Sequence, residues 1–195
     1  MAFTTAQAFN EFATKLVPTP VQATMIASRR ATIERQLRDA FGPASDLPVV
    51  DVRTIGSLDR GTIIRPLHDI DVMAVFDGSA WRKRYWVTGS QPFITRVRNA
   101  LDLGGATIVG TRGQAVRIFC TTGPMVDVAP VFPLSGGGYY LPSGTGGWIT
   151  TDPGFHKRWI NEQNAKLDHH LKPFARLIKR WNRVHNERLV PSTSR

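Results

Sequence analysis

Two aspartates one residue apart, Asp69 and Asp71, stand at the head of the apolar run VMAVF, with a Gly56-Ser57 pair upstream in GSLDRGTIIRPLHDIDVMAVF. In a β-strand, side chains two apart share a face, so these carboxylates stand side by side. Carboxylates so placed repel each other unless a cation or a proton sits between them, and a divalent metal is the simplest cation. The Gly-Ser step offers backbone N–H groups and a hydroxyl, the donors a phosphate needs. Asp127 lies between Val126 and Val128 in a second apolar strand. Were it to converge on Asp69 and Asp71, the three carboxylates could hold two Mg²⁺ or Mn²⁺ ions roughly 3.5–4 Å apart. One ion would activate an attacking hydroxyl and the other would clamp a triphosphate and its leaving group. Gly56, Ser57 and a cation reaching the phosphates would steady the charge in flight, and Lys179 is the candidate cation. The chemistry expected of this set is nucleotidyl transfer from NTP substrates.

These residues need a scaffold, and the pattern supplies one. Phe3 to Leu16 reads as a helix with Phe3, Phe9, Phe12 and Leu16 mostly on one side, and Pro18 ends it. Thr19 caps a second helix with Pro20 at its first position. Its apolar residues Val21, Met25, Ile33, Leu37 and Phe41 run to a stop at Gly42-Pro43. Val49 to Ile55 is an expected strand, Leu58 to His68 a loop, and Ile70 to Phe76 a strand apolar on both faces and so covered on both. The basic aromatic stretch WRKRYW at residues 81–86 reads as an exposed helical turn with an aromatic tucked beneath. Phe93 to Leu103 predicts a helix. Ala106–Val109, Ala115–Cys120 and Met125–Phe132 then predict an antiparallel meander, their turns set by TRGQ and TTGP.

The Gly-rich run from Leu134 to Trp148 lacks the spacing and lysine of a phosphate-binding P-loop. It reads as a hairpin or lid, with Tyr139, Tyr140 or Trp148 available to touch a base. Asp152 and Pro153 open another helix with Trp159, Ile160 and Leu167 facing inward. A final helix from Pro173 sets Phe174, Leu177, Ile178 and Trp181 on one face, with Arg176, Lys179, Arg180 and Arg183 beside or opposite them.

Composition narrows the classes. The chain has 195 residues, 42% hydrophobic and 21% charged, which suits an ordinary globular domain and excludes pervasive disorder. No run reaches the roughly 18 apolar residues of a membrane span, and the N-terminus has no signal-peptide pattern, so a cytoplasmic protein without membrane partners is expected. Cys120, the sole cysteine, excludes an internal disulfide and reads as a buried inert thiol. His68, His156, His169, His170 and His185 lack metal-ligand spacing and read as surface or packing residues. The formal charge is +10, and from Thr151 onward ten Lys and Arg stand against four Asp and Glu. Polyanionic partners follow: nucleotides, nucleic acid bound by the basic C-terminal helices, or both.

Gly-Ser, an Asp-x-Asp strand and a third Asp on a later strand resemble the signature of the polymerase-β-type nucleotidyltransferase superfamily. GSLDRGT with its Thr62, GWITTDPGFH from Gly146 to His156, and LKPFARLIKRWN from Leu171 to Asn182 are similar to the branch of oligoadenylate synthase and cyclic GMP-AMP synthase. The nearest likeness within it is the bacterial CD-NTases of antiphage defence. The resemblance covers nearly the whole chain and implies an α+β, polymerase-β-like nucleotidyltransferase fold, a mixed sheet flanked by helices. Residues 1–150 would form the catalytic lobe and 151–195 the start of a C-terminal helical lobe. Relatives continue past the KRWN helix, whereas this chain stops at Arg195, so an incomplete helical lobe is expected.

By motif position, Asp69, Asp71 and Asp127 would be metal ligands for two Mg²⁺ ions, while Gly56, Ser57, Thr62 and Lys179 would contact nucleotide phosphates. The implied product is a 2′–5′ or 3′–5′ linked, often cyclic, second messenger read by a downstream effector. Two other readings use the same residues: transfer onto an RNA, protein or small-molecule acceptor, and a catalytically silent domain that binds nucleotide or nucleic acid.

Overall fold

A computed structural model describes residues 4–102 and 108–189. The chain opens with helices α1 (Thr5–Lys15) and α2 (Pro20–Ala40), then strand β1 (Val49–Thr54), the single turn α3 (Gly56–Asp59) and strand β2 (Asp69–Phe76). An irregular helical stretch follows: α4 (Gly78–Ala80), a π-helical turn (Trp81–Tyr85) and α5 (Trp86–Thr88), leading to α6 (Gln91–Leu101). Strands β3 (Ile108–Arg112), β4 (Ala115–Phe119), β5 (Met125–Pro133), β6 (Tyr139–Pro142) and β7 (Trp148–Thr151) precede helices α7 (Pro153–Lys166) and α8 (Leu171–Leu189).

Local chemistry explains the boundaries. Thr4 and Thr19 each form a capping box with the Gln three residues on, satisfying amide groups that the first helical turn leaves without partners. Asp152 caps α7 through the Phe155 N–H at 2.9 Å, with Pro153 inside the first turn.

The main sheet has the order β1-β2-β5-β4-β3, with β2 and β5 parallel and the other pairs antiparallel, so it is mixed. The far end of β5 also pairs with β6, and β6 with β7. Helices α2 and α6 cover one face. Ile33, Leu37, Phe93 and Val97 from those helices pack with Ile70, Val72, Ala74 and Phe76 of β2 and with Val126 and Val128 of β5. The Phe76 ring meets Phe41 at 5.2 Å and Phe93 at 5.1 Å, both edge to face, the arrangement favoured by aromatic quadrupoles. On the opposite face Met73, Val75 and Val131 form a smaller cluster under Ile55, Tyr139 and Leu141. Strand β2 is thus covered on both sides as its apolar run requires, except where Asp69 and Asp71 begin it.

Several expected facings differ. Trp159 and Leu167 are exposed, not inward, and the buried residue of α7 is Asn164. The Asn164 side-chain Oδ1 accepts the Lys172 N–H at 3.0 Å and its Nδ2 lies 3.1 Å from His169 Nδ1, closing the turn into α8. A polar side chain is buried there because it serves the backbone of a tight turn, in which Asp168 and His169 both have positive φ. Val21 is also exposed; Phe9 and Phe12 do share one side of α1, and Phe174, Leu177, Ile178 and Trp181 one face of α8, where they line a common cavity and stay partly exposed. Helical periodicity gives a stripe but not what lies opposite it. Cys120 is half-buried, not fully buried. Tyr140 stacks on Trp81 at 4.2 Å, and Trp148 packs on the core and donates its indole N–H to the Tyr85 carbonyl, so both are committed to packing. The 81–85 turn matches its reading, with Trp81 and Tyr85 buried beneath a basic surface. The expectations for Phe3, Leu103 and Ala106 lie outside the described residues.

Candidate active site

The site forms where the chain leaves β1. Gly56 takes φ +67°, a left-handed conformation that suits glycine, and a Cβ there would collide with the Asp71 carboxylate. Glycine therefore lets Asp71 lie against the backbone, and the Ser57 N–H points at its carboxylate. The Gly-Ser step thus serves an aspartate of the site as well as offering amides to a ligand.

Parallel pairing brings the acids together. Asp71 lies directly across from Asp127, and Asp69 lies one pleat away across from Met125. Asp69, Asp71 and Asp127 therefore occupy one face at one end of two adjacent strands; the spacing of Asp69 and Asp71 predicts their shared face, and the register adds Asp127. Burial, joined by the charges of Asp69 and Asp127, holds the Asp71 carboxyl above the usual carboxylate range, with Arg60 and the Ser57 amide opposing the shift. Excess negative charge of this kind, on hard oxygen donors, suits Mg²⁺ or Mn²⁺. The donor chemistry fits such an ion, but the present orientations do not complete a site. Among the described residues, no group of three or more His, Cys, Asp or Glu side chains is arranged to hold a metal ion.

Arg117 engages two of the three acids. It sits on β4 directly across from Asp127. Its Nε donates to Asp127 Oδ1 at 2.7 Å and its Nη2 to Oδ2 at 2.6 Å, while Nη2 also reaches Asp69 Oδ2 at 3.5 Å. The Asp127 contact is a short bidentate pair and the Asp69 contact a long, weak one. Sequence reasoning missed Arg117, although a lone cation between Val116 and Ile118 in an apolar strand is a signal that an acid lies opposite.

The other rim is basic. Lys179 Nζ donates to the Thr62 carbonyl at 3.1 Å and to its hydroxyl at 3.3 Å, and Thr62 is buried. Burial pushes the Lys179 ammonium below its ordinary pKa, reinforced by Arg60 and Arg183 and opposed by Asp71 and Asp69. One helical turn to either side on α8, Arg176 donates to the Gly61 carbonyl and Arg183 to the Pro66 carbonyl, each at 2.7 Å. Three cations of one helix thus hold the loop between the Gly-Ser turn and β2. The sequence marked Lys179 and Thr62 but not this shared grip, nor Arg60.

Beside Asp71 and Asp127 opens a cleft of about 450 Å³, lined also by Ile55, Gln114, Ala129 and Leu141. A larger cavity of about 820 Å³ lies between α1 and α8 and is lined by none of the acids. Of the two, the smaller cleft is the one that meets the carboxylates.

The family model described as the Second Messenger Oligonucleotide or Dinucleotide Synthetase domain matches residues 3–164. The cyclic AMP-AMP-AMP synthase of an Acinetobacter species is 27% identical over 191 residues, covering 92% of this chain and 52% of that protein. The chain thus spans about half the length of this relative. Two solved structures show the same fold. CdnC of Escherichia coli MS115-1 with ATP superposes with a TM-score of 0.68 at 24% identity, covering 92% of this chain and 57% of that one. The cyclic dinucleotide synthase CdnE of Elizabethkingia meningoseptica, with GTP and Apcpp, gives a TM-score of 0.70 at 21% identity, covering 96% and 68%. With its mixed sheet and acids on adjacent parallel strands, the chain belongs to the Second Messenger Oligonucleotide or Dinucleotide Synthetase family, the bacterial CD-NTase branch of the polymerase-β-type superfamily.

Proposed function

We propose that this chain is a nucleotidyltransferase that joins nucleoside triphosphates into a linear or cyclic oligonucleotide second messenger with release of pyrophosphate. The observation that carries this reading is the register of Asp71 with Asp127 across parallel strands, with Asp69 on the same face and the Gly56-Ser57 turn against Asp71. Asp69, Asp71 and Asp127 would hold two Mg²⁺ or Mn²⁺ ions, which supply Lewis-acid activation of the attacking hydroxyl and neutralise the leaving pyrophosphate. Amides of the Gly56-Ser57 turn would receive the triphosphate. Lys179, held within the fields of Asp69 and Asp71, would move from Thr62 to the phosphates. The apolar walls of the adjoining cleft, Ile55, Ala129 and Leu141, would exclude water from one side of the acids.

In this reading residues 1–150 form the catalytic lobe, and α7 and α8 begin the helical lobe, whose basic face steadies the 61–66 loop. The product would act on a downstream effector in the cytoplasm during antiphage defence.

The test incubates the protein with the four NTPs and Mg²⁺ or Mn²⁺ and looks for new oligonucleotides by mass spectrometry. Asp69→Ala and Asp71→Ala should make none. A product that persists in both variants overturns the assignment, and label transferred to an RNA or protein instead of a small product redirects it to that acceptor. Loss of phage protection in the same variants would connect the chemistry to defence.

A further inference from the structure

The two hydrogen bonds of Arg117 occupy both oxygens of Asp127, the residue that the proposed chemistry needs as a metal ligand. The guanidinium nitrogen on Asp127 Oδ2 is also the one nearest Asp69. Arg117 therefore reaches from β4 over β5 toward β2, into the region where a cation shared by Asp69 and Asp127 belongs. Its side chain and that of Asp127 are each only 14% exposed, so water screens the pair little. Val116 and Ile118, both buried, fix the strand on either side of it. The fork is anchored, and it is the nearest positive charge to Asp127.

We propose that Arg117 is the resident counter-ion and positioning residue of the acidic site: it occupies both oxygens of Asp127 and bridges toward Asp69 until a divalent cation competes for them. This rests on the metal-dependent reading given above and goes beyond it. In the cation-free state Arg117 neutralises part of the charge that three neighbouring carboxylates would otherwise accumulate. When the ion arrives, Asp127 turns at least one oxygen toward it, using a lone pair that the bidentate pairing does not consume or giving up one of the two bonds. Occupancy of the site is thereby coupled to a rotation of one side chain, and the ion's affinity is set lower than the acids alone would give.

Mn²⁺ binding, measured in the absence of nucleotide by the electron paramagnetic resonance signal of the free ion, separates this from a purely structural role. Arg117→Gln removes the charge and the fork at similar size. It should bind Mn²⁺ about fivefold more tightly than the wild type, because a positive charge a few ångströms from the ion has gone. In EDTA the same variant should melt below the wild type, and Mn²⁺ should raise its melting temperature by more. Arg117→Lys keeps the charge but not the fork and should tighten binding only about twofold; it gives the answer if the glutamine variant does not fold. Unchanged or weaker Mn²⁺ binding in the substituted protein overturns the proposal, because a scaffold residue that merely shaped the site would loosen it when lost. Asp69→Ala and Asp71→Ala should abolish binding. If they do so while the Arg117 variants bind as the wild type does, Arg117 alone has been misread. If Mn²⁺ binding ignores the aspartates, both the metal reading and this proposal fall.

Discussion

Strands β2 and β5 present two faces that differ in kind. Toward α2 and α6 they turn Ile70, Val72, Phe76, Val126 and Val128, all buried and apolar. Toward the cleft the same strands turn Asp69, Asp71 and Asp127, then Met73, Val75 and Val131 farther along. One face is satisfied by packing alone. The other holds like charges that packing cannot satisfy and that Arg117, Arg60 and the Ser57 amide offset only in part. Alternate residues of one strand thus answer to different physics, burial on one side and charge on the other. Substitutions on the two faces should accordingly separate stability from activity.

The sharpest separation comes from the cleft face. Asp69→Ala should lower the rate of nucleotide joining by more than about 10³-fold, measured as product per mole of folded enzyme. Asp69 is half-exposed and makes only a long contact with Arg117, so the melting temperature should barely move. A large loss of stability together with activity would erase the distinction between the faces.

The helix face should behave in reverse. Phe76→Ala removes a ring packed against Phe41, Phe93 and Phe132 and should destabilise the fold by about 3–5 kcal/mol, read from urea unfolding. The fraction that stays folded should retain activity, because Phe76 lies at the end of β2 away from the acids.

Legibility followed the same division. DIDVMAVF announced its strand, its two covered faces and its charged head, because alternation and burial are local to the sequence. Thr19-Pro20 and Asp152-Pro153 announced helix starts for the same reason. Arg117 was invisible as a partner of Asp127, since the pairing depends on the register between β4 and β5. Arg60, Arg176 and Arg183 were legible only as charge, because nothing local states which carbonyl or carboxylate they reach. On α7 the stripe of Trp159 and Leu167 pointed the wrong way, and Asn164 was buried by a turn that closes five residues later.

A smaller effect distinguishes phosphate binding from loop support on α8. Lys179→Gln should raise the KM for NTP by about tenfold, a loss typical of one charge-assisted hydrogen bond, and leave the melting temperature nearly unchanged. Arg183→Gln removes a contact of the same length to the same loop and should change KM much less. Equal effects from both would mean that Lys179 only supports the loop at Thr62.

The smallest effect bears most directly on what the charged face does to the fold. Asp71 has its carboxyl raised by burial and by Asp69 and Asp127, so the folded protein binds a proton there more tightly than the unfolded chain does. The sign follows from proton linkage. As pH rises from the ordinary aspartate range through the raised value, the folded state loses stability relative to the unfolded, and the loss then persists at neutral pH. Asp71→Asn removes the buried charge and keeps the shape. It should therefore raise the melting temperature at pH 7 in EDTA by about 2 °C, a modest figure because solvent still screens a half-buried group, while abolishing nucleotide joining. At a pH low enough to protonate Asp71 in the folded state, the two proteins should melt together. Mn²⁺ should narrow the difference at pH 7 from the other direction, by stabilising the wild type and not the variant. If Asp71→Asn melts lower than the wild type at neutral pH in EDTA, the carboxylate is already better satisfied by Arg60 and the Ser57 amide than its burial implies, and the cleft face would need no ion to balance it.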